Sequence, residues 1–212
     1  MKDATYVHPL TALGKRAMDL SIALTGIIFT LPLYPLIALM IKLNSPGPVF
    51  YRQMRIGYQS ENYVCLFLMT RFRTVKVDTE ATSGSVRPTR NAPQVTKVGH
   101  FLRRTHLDKL PQLWNVLMGD MSIVGPRPEP PDICQKLEDN IPFYTERTFD
   151  VVPGMTGLAQ VNLSFYETVD DLRNNVAYDH AYALSLSSPA EWLKMDVSIL
   201  LKTIWVMVTG KR

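Results

Sequence analysis

Acidic and basic side chains that could act on a phosphate are grouped in one stretch, residues 103–131. Arg103 and Arg104 stand just before Asp108, and Arg127 follows in a proline-rich turn. A nucleophilic carboxylate that attacks a diphosphate needs cations around it, because they offset the repulsion between the two anions. The planar guanidinium fork of Arg127 suits a contact with phosphate. The stretch therefore indicates phosphoryl chemistry at Asp108.

The local pattern predicts a helix that positions this carboxylate. Thr105 and Asp108 form a Ser/Thr-x-x-Asp/Glu start signal, Pro111 suits a first turn, and Gly119 suits the end. Apolar side chains repeat at helical spacing at positions 110, 113, 114 and 117. Asp108 would then lie near a helix N-terminus, where phosphate binds readily. The same pattern also fits a carboxylate that only caps the helix, with the arginines on a solvated face.

A long apolar run precedes this stretch. The segment from Leu20 to Ile41 carries no charged side chain, and a bilayer span needs about 20 such residues. No small-x-small cleavage site follows it, Pro32 and Pro35 bend its middle, and basic residues flank both ends, so no orientation is preferred. A re-entrant hairpin that breaks near Leu31–Pro32 fits, with the Thr30 hydroxyl bonding a freed carbonyl. A kinked span and a buried core helix remain alternatives.

Size and composition limit the class of protein. The chain has 212 residues, of which 46% are hydrophobic, enough for one domain with a core. A formal net charge of +4 suits an acidic partner such as anionic lipid or a nucleotide. Nucleic acid is not expected as a partner, because the basic residues lack interleaved aromatics or a known motif. Cys65 and Cys134 show no metal-ligand spacing and indicate a reducing compartment, although two cysteines could pair.

The rest of the chain predicts an α+β fold that is mainly helical. Short strands are expected at Val49–Gln53 and Tyr63–Phe67, a surface loop at 78–94, and a short helix at 132–138. Ser188 begins a final helix that runs to about residue 208. Its tryptophans and lysines suit either the membrane interface or packing on the core.

Several segments resemble one family in the order expected of it. LDKLPQLWNVLMGDMSIVGPRP is similar to the central signature of the bacterial sugar transferases, which are monotopic phosphoglycosyl transferases, and GPVFYRQMRIG, FLMTRFRT and VVPGMTGLAQVN also match. The resemblance covers nearly the whole chain. It implies a re-entrant membrane hairpin at 1–44 and a small catalytic domain at 45–212. It also implies interfacial helices, and a location on the cytoplasmic face of the bacterial inner membrane.

The resemblance also implies a reaction. The family moves a sugar 1-phosphate from a UDP-sugar to undecaprenyl phosphate and releases UMP. Asp108 takes the position of the nucleophile, which forms a covalent phosphosugar intermediate, and Arg127 and Asp179 take positions in the active site. The predicted substrate-binding residues are Arg71, Arg73, Arg104 and Arg127. Membrane lipid is a further implied partner, and a homodimer is compatible with the family.

One departure concerns the metal. The family motif has Asp-Glu before Leu-Pro-Gln, where the glutamate helps to hold Mg²⁺, but this chain has Asp108 followed by Lys109. An ammonium group cannot ligate Mg²⁺, so Asp108 is the one predicted metal ligand. Three outcomes are open: Lys109 points away, it supplies positive charge to the phosphates, or the chain is an impaired relative that acts as a membrane scaffold. We expect retained activity with an altered Mg²⁺ dependence.

A second departure concerns the segment after VVPGMTGLAQVN. The family usually continues with Gly-Arg-Asn, whereas residues 163–165 here are Leu-Ser-Phe. Contacts that the missing residues make to the nucleotide or sugar therefore do not carry over. The sequence does not identify the sugar.

Overall fold

The protein is described here by a computed structural model that covers residues 6–76, 94–141, 144–163 and 169–209. The predicted surface loop at 78–94 lies, except for its last residue, outside the described residues. The described elements are mainly helical with small sheets, which confirms the predicted α+β class. In chain order they are α1 (Pro9–Thr30), α2 (Leu33–Asn44), β1 (Phe50–Gln59), β2 (Val64–Phe72), α3 (Lys97–Arg104), a 3₁₀ turn (Leu107–Lys109), α4 (Gln112–Met118), β3 (Ser122–Val124), α5 (Pro131–Glu138), a second 3₁₀ turn (Thr145–Thr148), β4 (Gly154–Thr156), α6 (Leu158–Asn162), α7 (Val169–Ser185) and α8 (Pro189–Thr209).

The first two helices form a bent pair. Their axes differ by 63° across the break between Thr30 and Leu33, where the prolines were predicted to bend the run. The Thr30 hydroxyl donates to the Gly26 carbonyl of the preceding helical turn at 2.7 Å. It does not, as predicted, donate to a carbonyl freed at the break, such as that of Ile28, whose helical donor is missing because Pro32 has no N–H. Within the described ranges, no single helix is long and apolar enough to span a membrane. The bent pair taken together is, by length and composition.

The first helix begins earlier than predicted. α1 starts at Pro9, well before the apolar run from Leu20 to Ile41 that indicated it. Proline favours a first helical turn, because its missing N–H would be unpaired there in any case. The His8 ring accepts a hydrogen bond from the Leu10 N–H at 3.2 Å and caps this end. The longer helix carries charged residues into the protein.

A buried ion pair joins α1 to the C-terminal half of the chain. The Lys15 ammonium donates to the Asp196 carboxylate at 3.0 Å and to the Val124 carbonyl at 2.8 Å. Asp196 also accepts from the Tyr182 hydroxyl and the Trp192 indole N–H, each at 2.9 Å. Asp196 is completely buried, so these donors replace the water that the carboxylate loses. The network fixes α1 against α7, α8 and the end of β3.

A two-stranded antiparallel hairpin, β1 and β2, forms the other side of the molecule. Both strands are longer than predicted, since Phe50 pairs with Phe72 and Ile56 with Leu66. The free edge of β2 meets the side chain of Asn115 in α4. The Asn115 carboxamide accepts from the Thr70 N–H at 3.2 Å and donates to the Leu68 carbonyl at 3.0 Å, as an adjoining strand would.

The second sheet is short and packed closely. β3 and β4 run parallel, with Ser122 opposite Gly154. Just past β3, a Cβ added at Gly154 would lie 2.1 Å from the Gly125 nitrogen, closer than any real contact. Only glycine therefore allows this approach, which sets the position of the segment that follows β3.

The C-terminal helix has two different faces. Trp192, Asp196 and Ile199 are buried in the core, while Leu201 and Trp205 are exposed on the opposite face. One face of this helix therefore packs on the core, which was one of the two alternatives that the sequence left open. The exposed apolar face remains consistent with a position in the membrane interface.

We predict that Lys15→Met destabilises the fold, because it leaves Asp196 buried without its cation. Breaking a buried ion pair in this way costs about 3–5 kcal/mol of unfolding free energy. Chemical denaturation of the purified protein in detergent measures the loss. Lys42→Met is the matched control, since Lys42 is exposed in α2. Equal stability of the two variants would contradict the assigned role of the network.

Candidate functional site

Asp108 is positioned by a 3₁₀ turn rather than by a helix N-terminus, so the predicted start signal at Thr105 was wrong. The Thr105 hydroxyl donates back to the Phe101 carbonyl at 2.9 Å and ends α3 instead of capping a new helix. The turn Leu107–Lys109 follows, and α4 begins only at Gln112. Asp108 is buried within this turn.

The backbone on either side of the turn explains its direction. His106 has φ of 58°, a left-handed conformation that few non-glycine residues adopt. It separates α3 sharply from the turn that carries Asp108. Gly119 has φ of 93° and ends α4, as predicted.

Two arginines act electrostatically on the Asp108 carboxylate. Burial lowers the pKa of Arg71 to about 10, and repulsion by Arg127 adds to this effect while attraction to Asp108 opposes it. Burial likewise lowers the pKa of Arg103, again against the attraction of Asp108. The Arg103 Nε also donates to the Thr74 hydroxyl at 2.9 Å, which holds its guanidinium in place. Asp108 is thus a buried carboxylate with cations as its neighbours.

A cleft next to the turn that carries Asp108 brings together residues that are distant in sequence, although Asp108 itself is not among its lining residues. Arg71 from β2, Arg127 from the loop after β3 and Lys109 from the turn all line it. The remaining lining residues are Met69, Gln112, Pro128, Gly154, Met155 and Gln160. Lys109 is therefore among the residues that line the cleft. The lining carries three cationic side chains, so the cleft is positively charged and attracts an anionic group such as a phosphate.

The segment that carries Arg127 is fixed at nearly every carbonyl. The donors come from separate parts of the fold and include side chains as well as backbone N–H groups. They are Lys15 Nζ to Val124 at 2.8 Å, Gly154 N–H to Pro126 at 2.8 Å, Arg147 Nη2 to Arg127 at 2.9 Å, Arg55 Nη1 to Pro128 at 3.1 Å, and Ile56 N–H to Glu129 at 3.0 Å. Arg127 is therefore presented to the cleft on a backbone with little freedom.

Glu129 orients the Arg127 side chain. Glu129 is buried, and its carboxylate oxygens lie 3.5 Å from the Arg127 Nε and 3.5 Å from the Arg55 Nη1. Sequence reasoning did not single out Glu129, because a glutamate in a proline-rich turn carries no signal of burial.

Asp179 lies behind the cleft and not among its lining residues. It forms a buried ion pair with Arg147 at 2.8 Å, and the second terminal nitrogen of Arg147 donates to the Arg127 carbonyl. Burial raises the pKa of the Asp179 carboxyl to about 6, although the charge of Arg147 opposes the rise. The geometry thus connects Asp179 to Arg127 through Arg147. Sequence reasoning missed Arg147, which belongs to none of the matched motifs.

Two predicted substrate-binding arginines lie outside the cleft lining. Arg73 is buried, and its terminal nitrogens donate to the Ser45 and Pro46 carbonyls, the first at 2.8 Å. It fastens the turn after α2 to the end of β2. Arg104 is exposed at the end of α3. The structure therefore brings Arg71 and Arg127 together but separates Arg73 and Arg104 from them.

The donor set of this region does not make a Mg²⁺ site of its own. Across the ranges that the structure describes, no group of three His, Cys, Asp or Glu side chains could hold a metal ion. Glu129 is engaged by arginines, and Lys109, which stands where the family has a glutamate, cannot ligate Mg²⁺. Mg²⁺ commonly uses only one or two carboxylates together with substrate phosphates. Asp108 remains the single candidate protein ligand.

Comparison with known proteins gives matches that extend over nearly the whole chain. The protein-family model described as bacterial sugar transferase matches residues 10–210. The chain is 37% identical over 208 residues to the UDP-N-acetylgalactosamine-undecaprenyl-phosphate N-acetylgalactosaminephosphotransferase of Aeromonas hydrophila, covering 95% of this chain and 45% of that protein. It is 38% identical over 206 residues to the UDP-glucose:undecaprenyl-phosphate glucose-1-phosphate transferase of Escherichia coli (strain K12), covering 94% of this chain and 42% of that protein.

A shorter relative is covered almost completely. The exopolysaccharide production protein ExoY of Rhizobium meliloti (strain 1021) is 32% identical over 209 residues, which are 93% of this chain and 87% of that protein. The chain spans less than half the length of the Aeromonas and Escherichia proteins. The match across almost all of its own length shows that the chain belongs to the bacterial sugar transferase family.

Proposed function

We propose that this protein transfers a sugar 1-phosphate from a UDP-sugar to undecaprenyl phosphate and releases UMP. The observation that carries the proposal is the buried Asp108 carboxylate, which has Arg71 and Arg103 as electrostatic neighbours beside a cleft lined by Arg127 and Lys109. The names of the relatives, which specify undecaprenyl phosphate as acceptor and UDP-sugars as donors, support the substrate classes.

The proposed reaction has two displacements at one phosphorus atom. A carboxylate oxygen of Asp108 attacks the β-phosphorus of the UDP-sugar, and the bond to the α-phosphate oxygen breaks so that UMP leaves with its electron pair. A phosphate oxygen of the lipid then attacks the same phosphorus, and the bond to Asp108 breaks. The cations that surround Asp108 offset the repulsion between anions in both steps. Their fixed positions lower the reorganisation that each step requires.

A lipid acceptor explains the apolar surface that the fold exposes. The bent pair α1 and α2 presents exposed side chains such as Leu24, Phe29 and Leu36, and α8 presents Leu201 and Trp205. We propose that α1 and α2 enter the membrane and return, with both ends on the cytoplasmic side, and that α8 lies in the interface. This arrangement would bring the cleft to the level of the lipid phosphates.

We expect Asp108→Asn to abolish product formation, because an amide is a poor nucleophile at phosphorus. The assay supplies a radiolabelled UDP-sugar and undecaprenyl phosphate in detergent, with a panel of UDP-sugars scored for UMP release. Mass spectrometry of donor-treated protein should detect a phosphosugar adduct on the native chain and none on the variant. Asp139→Asn, at an exposed position, is the matched control. Native protein that gives no product with any donor would instead support the scaffold alternative.

The second prediction concerns Lys109, whose charge we propose substitutes for part of the charge that Mg²⁺ supplies. Lys109→Glu should make UMP release depend more strongly on Mg²⁺, because the variant loses one cation and gains an anion beside the phosphates. Titrating Mg²⁺ against native protein and variant tests this, with the exposed Lys136→Glu as control. An unchanged Mg²⁺ requirement would rule out the proposal that the Lys109 charge replaces part of the Mg²⁺ charge.

The third prediction assigns Arg147 and Asp179 a positioning role. Arg147→Lys keeps the charge but replaces a two-pronged donor with one ammonium, which cannot serve Asp179 and the Arg127 carbonyl in the same geometry. Displacing a catalytic group by about 1 Å can lower turnover about 100-fold. We expect kcat to fall while thermal unfolding shows a folded protein.

A matched control for this variant is available in α1. Arg16→Lys removes a similar fork, in which the terminal nitrogens of Arg16 donate to the Val116 and Leu117 carbonyls at 2.7 and 2.8 Å. That fork lies outside the cleft lining. Turnover that falls equally in both variants would argue against a specific role for Arg147.

A further inference from the structure

Three residues that line the cleft carry hydrogen-bond donors that the protein itself leaves unused. The side-chain Nε2 atoms of Gln112 and Gln160 are buried, and so is the Nε of Arg71. None of these atoms has a hydrogen-bond partner among the described residues. All three residues line the same cleft. A buried donor without an acceptor is unfavourable, so this arrangement indicates a ligand that accepts hydrogen bonds.

Gln112 is the more deeply buried of the two glutamines. It is only 2% exposed, and it follows Asp108 by four residues at the start of α4. An alkyl side chain could fill this buried position without an unpaired amide. The carboxamide is instead held at the cleft by the same short chain segment that carries Asp108 and Lys109.

Gln160 reaches the cleft from a different part of the fold. It lies in α6, directly after the close approach of β4 and the Arg127 segment. A Cβ added at Gly157 would lie 3.6 Å from the Gln160 Nε2. The two glutamines therefore line the cleft from separate elements, together with Arg71 and Arg127.

We infer that Gln112 and Gln160 bind non-bridging oxygens of the diphosphate group of the nucleotide donor. This inference rests on the proposed function. Phosphate oxygens only accept hydrogen bonds, which matches a set of unused N–H donors, whereas a sugar hydroxyl would also need an acceptor. The arginines and Lys109 supply charge, and the neutral carboxamides fix orientation through directional bonds.

The experiment measures UDP binding by calorimetry together with steady-state kinetics on the full chain in detergent. Gln112→Met keeps a similar volume without the donor, and Gln112→Glu places an anion at the same point. Loss of a hydrogen bond to a charged group should weaken UDP binding about ten- to hundredfold, and the glutamate variant should bind more weakly still. KM for the UDP-sugar should rise in parallel, and binding of uridine, which lacks phosphate, should not change.

Two further variants keep the test decisive. Gln160→Met probes the less buried site, should Gln112 variants fail to fold, and the exposed Gln135→Met in α5 is the matched control. Native turnover together with unchanged UDP affinity and KM in folded Gln112 and Gln160 variants would overturn this inference and leave the proposed function standing. UDP binding that requires both glutamines, in a protein without turnover, would support the inference and count against the proposed reaction. Native protein that neither binds UDP nor turns over would overturn both.

Discussion

The structure depends on the fixed backbone of residues 124–129, whose carbonyl oxygens accept hydrogen bonds from donors spread over the fold. Lys15 reaches this segment from the first helix and Arg147 reaches it from the second 3₁₀ turn. Neighbouring Gly154 approaches so closely that a side chain there would collide with the backbone. Arg127 is consequently held by the tertiary structure as a whole.

The fixed positions of Arg71 and Arg127 hold two like charges close together, which is electrostatically unfavourable. Burial and the nearby charge of Arg127 lower the pKa of Arg71 to about 10, yet the guanidinium stays charged at neutral pH. Asp108 and Glu129 offset part of the positive charge. An anionic ligand would relieve the remaining repulsion, and the cleft is therefore more favourable to a phosphate-bearing molecule than to a neutral one.

Local features of the fold could be predicted from the sequence, and long-range pairings could not. The break at Leu31–Pro32 and the helix end at Gly119 follow from the backbone chemistry of proline and glycine, and both are confirmed. The start signal at Thr105 was wrong because its hydroxyl bonds the preceding turn. The partner of Asp179 is Arg147, 32 residues away. No periodicity or motif marks that pair, because only the folded arrangement of α7 against the second 3₁₀ turn creates it.

Asn115 illustrates how one side chain can limit what a surface does. A two-stranded sheet normally leaves both outer edges with unsatisfied backbone groups, which can pair with another copy of the chain. The carboxamide of Asn115 bonds the Thr70 N–H and the Leu68 carbonyl of β2. These two backbone groups are therefore not available to pair with a strand of another copy. The Asn115 carboxamide thereby protects this part of β2 from edge-to-edge pairing between copies of the chain.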